Sequence, residues 1–236
     1  MTTALITGAN RGIGLALSDA MLRHGVSVFA GTRRPETARE LRRLAEVHPG
    51  RLHIVPLDVT DAGSVREAAA QVAGATKSLD VLINNAAVFL EEIGVTLEAL
   101  DMTHFDRTFA VNVAGAARVT QALLPLLLGS SSPRIINISS GAGSIGDKSN
   151  HWYYCYGASK AALNYFTVGL AHELRPRNVM VVAISPGWVR TDMGGSDAEL
   201  TADESASAIA DAVLKLTPAQ SGCFLDRFGA RDQYPW

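Results

Sequence analysis

Thr7-Gly8-Ala9-Asn10-Arg11-Gly12-Ile13-Gly14 follows a short apolar run and leads directly into a segment with helical spacing. Gly8 suits a tight turn, Gly12 lets the backbone approach a phosphate group, and Gly14 permits close packing of a helix on a strand. The N-terminus of the following helix attracts negative charge. The stretch therefore predicts a phosphate-binding loop between a first strand and a first helix, although turns also use glycine for purely structural reasons.

Short apolar runs alternate with longer segments of helical spacing along the whole chain. The predicted strands are Ala4–Thr7, Val26–Ala30, Leu52–Leu57, Val81–Ile83, Ile135–Ile138, Val179–Ile184 and Cys223–Leu225. The predicted helices are Gly12–His24, Thr37–Val47, Ser64–Val72, Thr103–Leu128, Tyr156–Leu174 and Thr201–Leu216. Strands that are apolar on both faces indicate a central parallel sheet with helices on both faces. Right-handed crossovers then predict a doubly wound α/β fold of the Rossmann type, with ligands bound beyond the carboxyl ends of the strands.

Composition indicates one ordinary globular domain over residues 1–236, because hydrophobic residues make up 47% and no linker or repeat divides the chain. Lys and Arg number 21 against 23 Asp and Glu, which offers no general electrostatic reason to bind nucleic acid or an anionic membrane. The N-terminus lacks the pattern of a secretory signal, and no apolar run approaches the ~20 residues that span a bilayer. Cys155 and Cys223 lack metal-ligand spacing, so we expect no metal and a reducing, cytoplasmic location.

Tyr156 and Lys160 stand four positions apart at the start of a predicted helix, so both side chains can project from one face. A nearby ammonium stabilises a phenolate and lowers a tyrosine pKa from its ordinary value of about 10, which favours proton transfer at neutral pH. In isolation the pattern more often describes a surface tyrosine and a solvated lysine. Tyr153, Tyr154 and Tyr165 have no lysine four residues downstream, so the spacing selects Tyr156.

The chain resembles the short-chain dehydrogenase/reductase family, whose fingerprint T-G-x-x-x-G-x-G matches Thr7–Gly14. Further family landmarks follow in order: Asp58-Val59, Asn84-Asn85-Ala86-Ala87 and Pro186-Gly187. The aromatic residues of loop 151–155 and the C-terminal Gly222–Leu225 are similar to the branch that contains sniffer-type carbonyl reductases and C-factor proteins. Loop 151–155 could line a substrate pocket or fasten itself to the core.

The resemblance implies a bound NADP(H) and assigns residues to it. Asp58 would contact adenine, Asn84 and Ala86 would border the cofactor, and Thr191 would meet the nicotinamide carboxamide. The expected cofactor-binding residues are Gly8, Asn10, Arg11, Gly12, Ile13, Gly14, Arg33, Asp58, Val59, Asn84, Ala86, Tyr156, Lys160, Pro186, Gly187, Val189 and Thr191. Ala87 stands where the family usually has glycine, and an alanine there is strained if the backbone needs a positive φ.

The preference for NADP(H) rests on the end of the second predicted strand, which reads Phe29-Ala30-Gly31-Thr32-Arg33-Arg34. It has no acidic residue where NAD-specific relatives bind the ribose hydroxyls. Arg33 best matches the position of the 2′-phosphate, and Arg11 could approach the same group. The alternative is that these arginines are solvated at the entrance of the next helix.

The resemblance also implies a catalytic set of Asn112, Ser140, Tyr156 and Lys160. Ser140 is the second residue of a Ser-Ser pair at a strand end and is assigned by its position in the motif, with Ser139 as the alternative. Either serine could instead be a structural cap at the strand end. Asn112 would hold a water joined to Lys160, whereas the alternative is an asparagine at a helix bend.

The expected activity is the reversible reduction of a ketone or aldehyde by hydride transfer from NADPH, with Ser140 stabilising the oxygen and Tyr156 protonating it. A nucleotide-binding signalling or regulatory protein of the C-factor type is the alternative, and the intact catalytic set argues against it. The resemblance further predicts a homo-oligomer, dimer or tetramer. Its interface would use the fourth and fifth predicted helices, whose small and apolar residues include Ala114, Ala117, Ala161 and Phe166. The alternative is that these residues pack against the sheet of a monomer.

Overall fold

A computed structural model describes residues 2–231, 235 and 236 and contains one seven-stranded sheet. The strands are β1 (Thr3–Thr7), β2 (Ser27–Thr32), β3 (Leu52–Pro56), β4 (Val81–Asn84), β5 (Arg134–Ile138), β6 (Met180–Ile184) and β7 (Phe224–Leu225). Their order is β3-β2-β1-β4-β5-β6-β7, and every neighbouring pair is parallel. The chain winds outward in opposite directions from β1 and β4, so the carboxyl ends of these two strands flank the crevice where such folds bind ligands.

Helices cover both faces of this sheet. They are α1 (Gly12–Arg23), α2 (Arg39–Val47), α3 (Ala62–Ala75), α4 (Thr103–Phe109), α5 (Ala116–Leu127), α6 (Tyr154–Leu174) and α7 (Ala202–Leu214). One apolar core includes Leu17 of α1 and Ile209 of α7, and a second includes Val65 of α3, Leu123 of α5 and Leu170 of α6. The predicted single doubly wound domain with a parallel sheet is therefore confirmed.

The predicted fourth helix differs from the observed one in its centre. A π-helical segment, Ala110–Gly115, joins α4 to α5, so the helical stretch is continuous but carries a wider turn around Asn112. Pro125 lies inside α5, which ends two residues later at Leu127. By length and composition this stretch could cross a membrane, a test that core helices of globular proteins also pass. Its buried residues Val119 and Leu123 pack in the second core, as in a core helix.

Candidate active site

The glycine loop connects β1 to α1 in a conformation that leaves backbone N–H groups available to an anion. Gly8 and Gly12 have φ angles of +65° and +53°, in the left-handed region that favours glycine. A Cβ atom at Gly14 would lie 2.3 Å from the carbonyl oxygen of Gly8, so a side chain there would separate α1 from the loop. No side-chain hydrogen bond caps α1, and its first turn has no acidic residue. These features suit a phosphate at the helix N-terminus.

Asn85, which sequence reasoning did not assign to the site, ties the loop after β4 to the end of β1. Its side chain donates to the carbonyl oxygen of Thr7 at 2.9 Å, and the Thr7 hydroxyl accepts from the backbone N–H groups of Asn85 and Ala86 at 3.0 and 2.9 Å. The neighbouring Asn84 has the opposite orientation. Its buried side chain donates to Thr120 and Asn137 at 3.0 and 2.9 Å, beneath the site.

A cavity of about 380 Å³ opens above the glycine loop. The predicted cofactor residues on its wall are Gly8, Asn10, Arg11, Gly12, Ile13, Gly14, Arg33, Asp58, Val59, Ala86, Tyr156, Lys160, Pro186 and Thr191. Within the described ranges, Asn84, Gly187 and Val189 are not part of this wall. Ala87 does lie on the wall. Its φ angle is not among the positive angles of the described residues, so its backbone carries no left-handed strain.

Arg11, Arg33 and Asp192 are three of the charged residues on the wall of this cavity. Arg11 forms an exposed ion pair with Asp192 of the loop after β6, which bridges the two sides of the opening. Arg33 is exposed on the wall, and it forms no hydrogen bond or ion pair with the part of the chain that the structure describes. The guanidinium of Arg33 is therefore available to a bound anion.

Ser140 and Tyr156 meet at the inner end of the site. Their side chains lie close enough to interact, and Ser140 Oγ also accepts from the Ala142 N–H at 3.2 Å, whereas the hydroxyl of Ser139 donates at 2.6 Å to Asn164 in the interior. The geometry thus brings Ser140, and not the hydroxyl of Ser139, to the tyrosine. Burial raises the pKa of Tyr156 to about 12, an interaction with Ser140 lowers it, and the nearby Tyr153 adds to the rise. The lowering of this pKa expected from the spacing to Lys160 is therefore not found, because burial outweighs it.

Lys160 lies one helical turn from Tyr156 on α6, and its side chain is 2% exposed. Its Nζ donates to the carbonyl oxygen of Ile138 at 2.8 Å and lies 5.5 Å from the centroid of the Tyr156 ring. Burial lowers the pKa of this ammonium to about 7. A Cβ at Gly143 would lie 2.7 Å from Cβ of Lys160, so glycine there allows the turn after Ser140 to pack directly on α6.

Asn112 lies in the π-helical segment and its side chain is fully engaged with neighbouring groups. Its oxygen accepts from the Val88 N–H at 2.8 Å, and its nitrogen donates to the Val88 carbonyl and to Ser159 Oγ, both at 3.0 Å. Ser159 in turn donates to the carbonyl oxygen of Tyr156 at 2.7 Å. Asn112 therefore fastens Val88 to α6, while its expected water link to Lys160 stays a prediction.

Loop 151–155 contacts the segment that follows β4. The Phe89 ring packs edge-on against Tyr153 and Tyr156, with centroids 5.6 and 5.3 Å apart, and the His151 ring lies 3.2 Å from the carbonyl oxygen of Gly94. Residues 151–155 contribute nothing to the wall of the cavity above the glycine loop. The observed contacts fasten this loop to residues 89–94.

Comparison with known proteins decides the family. Residues 2–201 match the model of the short chain dehydrogenase family. The chain belongs to this family. Two solved structures cover this short-chain dehydrogenase completely. The carbonyl reductase Sniffer of D. melanogaster is 33% identical with a TM-score of 0.94 and full coverage of both chains. The NADPH-bound carbonyl reductase from chicken fatty liver is 36% identical with a TM-score of 0.92, covering 100% of this chain and 99% of the other.

A third relative bears on the branch within the family. C-signal of Myxococcus xanthus is 38% identical over 161 residues, which cover 68% of this chain and 95% of C-signal. Together with the likeness to Sniffer, this supports the predicted sniffer-type branch of the short-chain dehydrogenases. The chain is an oxidoreductase of this family.

Proposed function

We propose that the protein is an NADPH-dependent carbonyl reductase that reduces a ketone or aldehyde to an alcohol, reversibly, with Tyr156 as the general acid. The observation that carries this proposal is the meeting of Ser140, Tyr156 and Lys160 beside a cavity that begins at the glycine loop. Bound NADPH supplies a hydride; the chain supplies binding, orientation and the proton.

The hydroxyls of Ser140 and Tyr156 together would hold the oxygen of a substrate carbonyl. Hydrogen bonds to this oxygen stabilise the negative charge that develops as the carbonyl is reduced. Tyr156 then donates its phenolic proton to that oxygen. Its pKa of about 12 keeps the proton on the tyrosine until the developing alkoxide takes it.

Lys160 would stabilise the phenolate that remains after proton donation. Its Nζ is held by the carbonyl of Ile138 on the same side as the Tyr156 ring. A lysine pKa near 7 allows this ammonium to gain and lose a proton at neutral pH, so it can take part in returning a proton to the tyrosine. Asn112 would complete this return path through a water.

The residues on the cavity wall fit a dinucleotide that carries an additional phosphate. The open N–H groups of α1 would bind the pyrophosphate, Asp58 the adenine and Thr191 the carboxamide. Arg33 would bind the 2′-phosphate, supported by its exposed guanidinium and by the lack of an acidic residue after β2. Arg11 would reach the same phosphate only if it leaves Asp192. The NADPH-bound chicken relative supports the same preference.

A signalling role is the second candidate, and the likeness to C-signal motivates it. A signalling protein that only binds nucleotide has no need of a tyrosine that meets a serine and a buried lysine. The catalytic geometry therefore favours the enzyme.

We further propose a homo-oligomer and a cytoplasmic location. Ala114 is exposed, and Ala117, Ala161 and Phe166 are partly exposed, so these residues leave apolar surface on two neighbouring helical stretches. Both cysteines are free thiols, which suits a reducing compartment. A monomeric mass by light scattering at micromolar concentration would reject the oligomer.

The deciding experiment follows NADPH consumption by the purified protein with a panel of chemically diverse ketones and aldehydes. Turnover of at least one class, absent in Tyr156→Phe, is expected. A protein that binds NADPH but turns over none of the panel would support the signalling alternative.

A further inference from the structure

Glu91 is a buried carboxylate at the start of the catalytic helix. It is 5% exposed, and its two oxygens accept from the backbone N–H groups of Cys155 and Tyr156 at 2.9 and 2.7 Å. Glu91 belongs to the connection between β4 and α4, so it is distant in sequence from the helix that it caps. Both carboxylate oxygens thus hold the first turn of α6, and one of them holds the backbone of Tyr156 itself.

The cap supplied by Glu91 replaces one that α6 lacks locally. The residue before the helix, Tyr153, makes no side-chain cap hydrogen bond and has a left-handed backbone with φ +65° and ψ 58°. Such a conformation is costly for a bulky aromatic residue and persists only where its surroundings impose it. A carboxylate at a helix N-terminus satisfies free N–H groups and interacts favourably with the helix dipole. Glu91 is therefore well suited to stabilise this strained entrance.

A second attachment fixes the same connection three residues earlier. Asn112 binds both backbone groups of Val88 and reaches the carbonyl of Tyr156 through Ser159. The stretch from Val88 to Glu91 is thus joined to α6 at both ends. Between these attachments the Phe89 ring packs edge-on against Tyr156.

We infer that Glu91 is a positioning residue for the reaction, holding the backbone of Tyr156 so that its hydroxyl stays aligned with Ser140 and a bound carbonyl. This inference rests on the proposed role of Tyr156 as proton donor. Small displacements of a catalytic group reduce turnover strongly. The affinity for NADPH should change little, because Glu91 is not on the wall of the cofactor cavity and Tyr156 is only one of its many lining residues.

The test compares Glu91→Gln and Glu91→Ala with Glu92→Gln, a control at the neighbouring exposed glutamate. Gln keeps the length of the side chain and one accepting oxygen, so it should lower kcat roughly 3- to 10-fold, and Ala roughly 10- to 100-fold. The dissociation constant of NADPH should stay within about twofold of wild type in both. The solvent deuterium isotope effect on kcat should increase, because proton donation from a misplaced tyrosine becomes slower. All rates are normalised to folded protein that binds NADPH.

Amide hydrogen exchange supplies a readout that needs no turnover. The peptide covering residues 153–157 should exchange faster in Glu91→Gln than in Glu92→Gln or wild type, because its N–H groups lose an acceptor. Equal exchange in Glu91→Gln, Glu92→Gln and wild type would show that Glu91 does not cap α6. This result needs no known carbonyl substrate. Suppose that the wild type is active and that Glu91→Gln exchanges faster but keeps the wild-type kcat and isotope effect. Glu91 then contributes only to stability, and its positioning role is overturned. A wild type that reduces no carbonyl contradicts the proposed function instead.

Discussion

The ammonium nitrogen of Lys160 lies 5.5 Å from the centroid of the Tyr156 ring and donates its hydrogen bond to a carbonyl oxygen, that of Ile138. In the described part of the chain, no carboxylate forms an ion pair with this buried lysine. The six ion pairs found there all involve other residues. The charged form of this lysine is therefore buried at a cost in stability.

Replacing Lys160 with Met should therefore change how stability depends on pH. The folded-state pKa of about 7 lies below the ordinary value of 10.5, so the unfolded chain binds more protons between these two pH values. The unfolding free energy of wild type, minus that of Lys160→Met, should rise with pH from about 7 to 10, by at most about 1.4 kcal/mol per pH unit.

Urea unfolding of the cofactor-free proteins at a series of pH values measures this difference. The lost hydrogen bond to Ile138 adds an offset that does not depend on pH over this range. A difference that stays flat from pH 7 to pH 9.5 would show that Lys160 keeps an ordinary pKa in the folded state.

The two serines at the end of β5 should respond differently to removal of their hydroxyls. Ser140→Ala should lower kcat about 100-fold, because this hydroxyl would hold the substrate oxygen with Tyr156, and it should lower stability by only about 1 kcal/mol, because it also caps the turn at Ala142. Ser139→Ala should leave kcat within a few-fold and lower stability by about 1–3 kcal/mol, because its buried hydrogen bond to Asn164 is lost. Steady-state kinetics and urea unfolding of both variants check this, and a reversed pattern would move the catalytic role to Ser139.

Cofactor preference should depend on Arg33 and not on its neighbour. Arg33→Asp should lower kcat/KM for NADPH roughly 10- to 100-fold, because it removes a charge-assisted hydrogen bond and repels the 2′-phosphate. Use of NADH should be unchanged or improved. Arg34→Asp is the matched control, since Arg34 is also exposed but absent from the cavity wall. Equal efficiencies of the wild type with NADPH and NADH would contradict the preference.

Features that depend on short sequence spacing could be predicted from the sequence. The glycine loop and the Tyr156–Lys160 pair each lie within eight residues, and one turn or one helical face sets their geometry. The parallel sheet was predictable because its strands are apolar on both faces. Whether Ala87 is strained could not be predicted, because the answer depends on a backbone angle that composition and spacing do not determine.

Features that depend on packing between distant segments could not be predicted. No local pattern connects Glu91 with the N–H groups of residues 155 and 156, because that contact exists only after the β4–α4 connection folds onto α6. Asn84 and Asn85 point to opposite sides, and a choice between them requires the end of β4 to be known to a single residue. The π-helical turn at Asn112 was missed because apolar periodicity does not resolve one wider turn in a long helix.

Steady-state turnover of Tyr156→Phe tests the proposed chemistry most directly. The substitution removes one hydroxyl and keeps the ring that packs against Phe89, so folding and NADPH affinity should match wild type. Carbonyl reduction should fall by at least about 100-fold, the typical contribution of general acid catalysis. A kcat within about threefold of wild type, measured with the best substrate and saturating NADPH, would contradict the role of Tyr156 as proton donor.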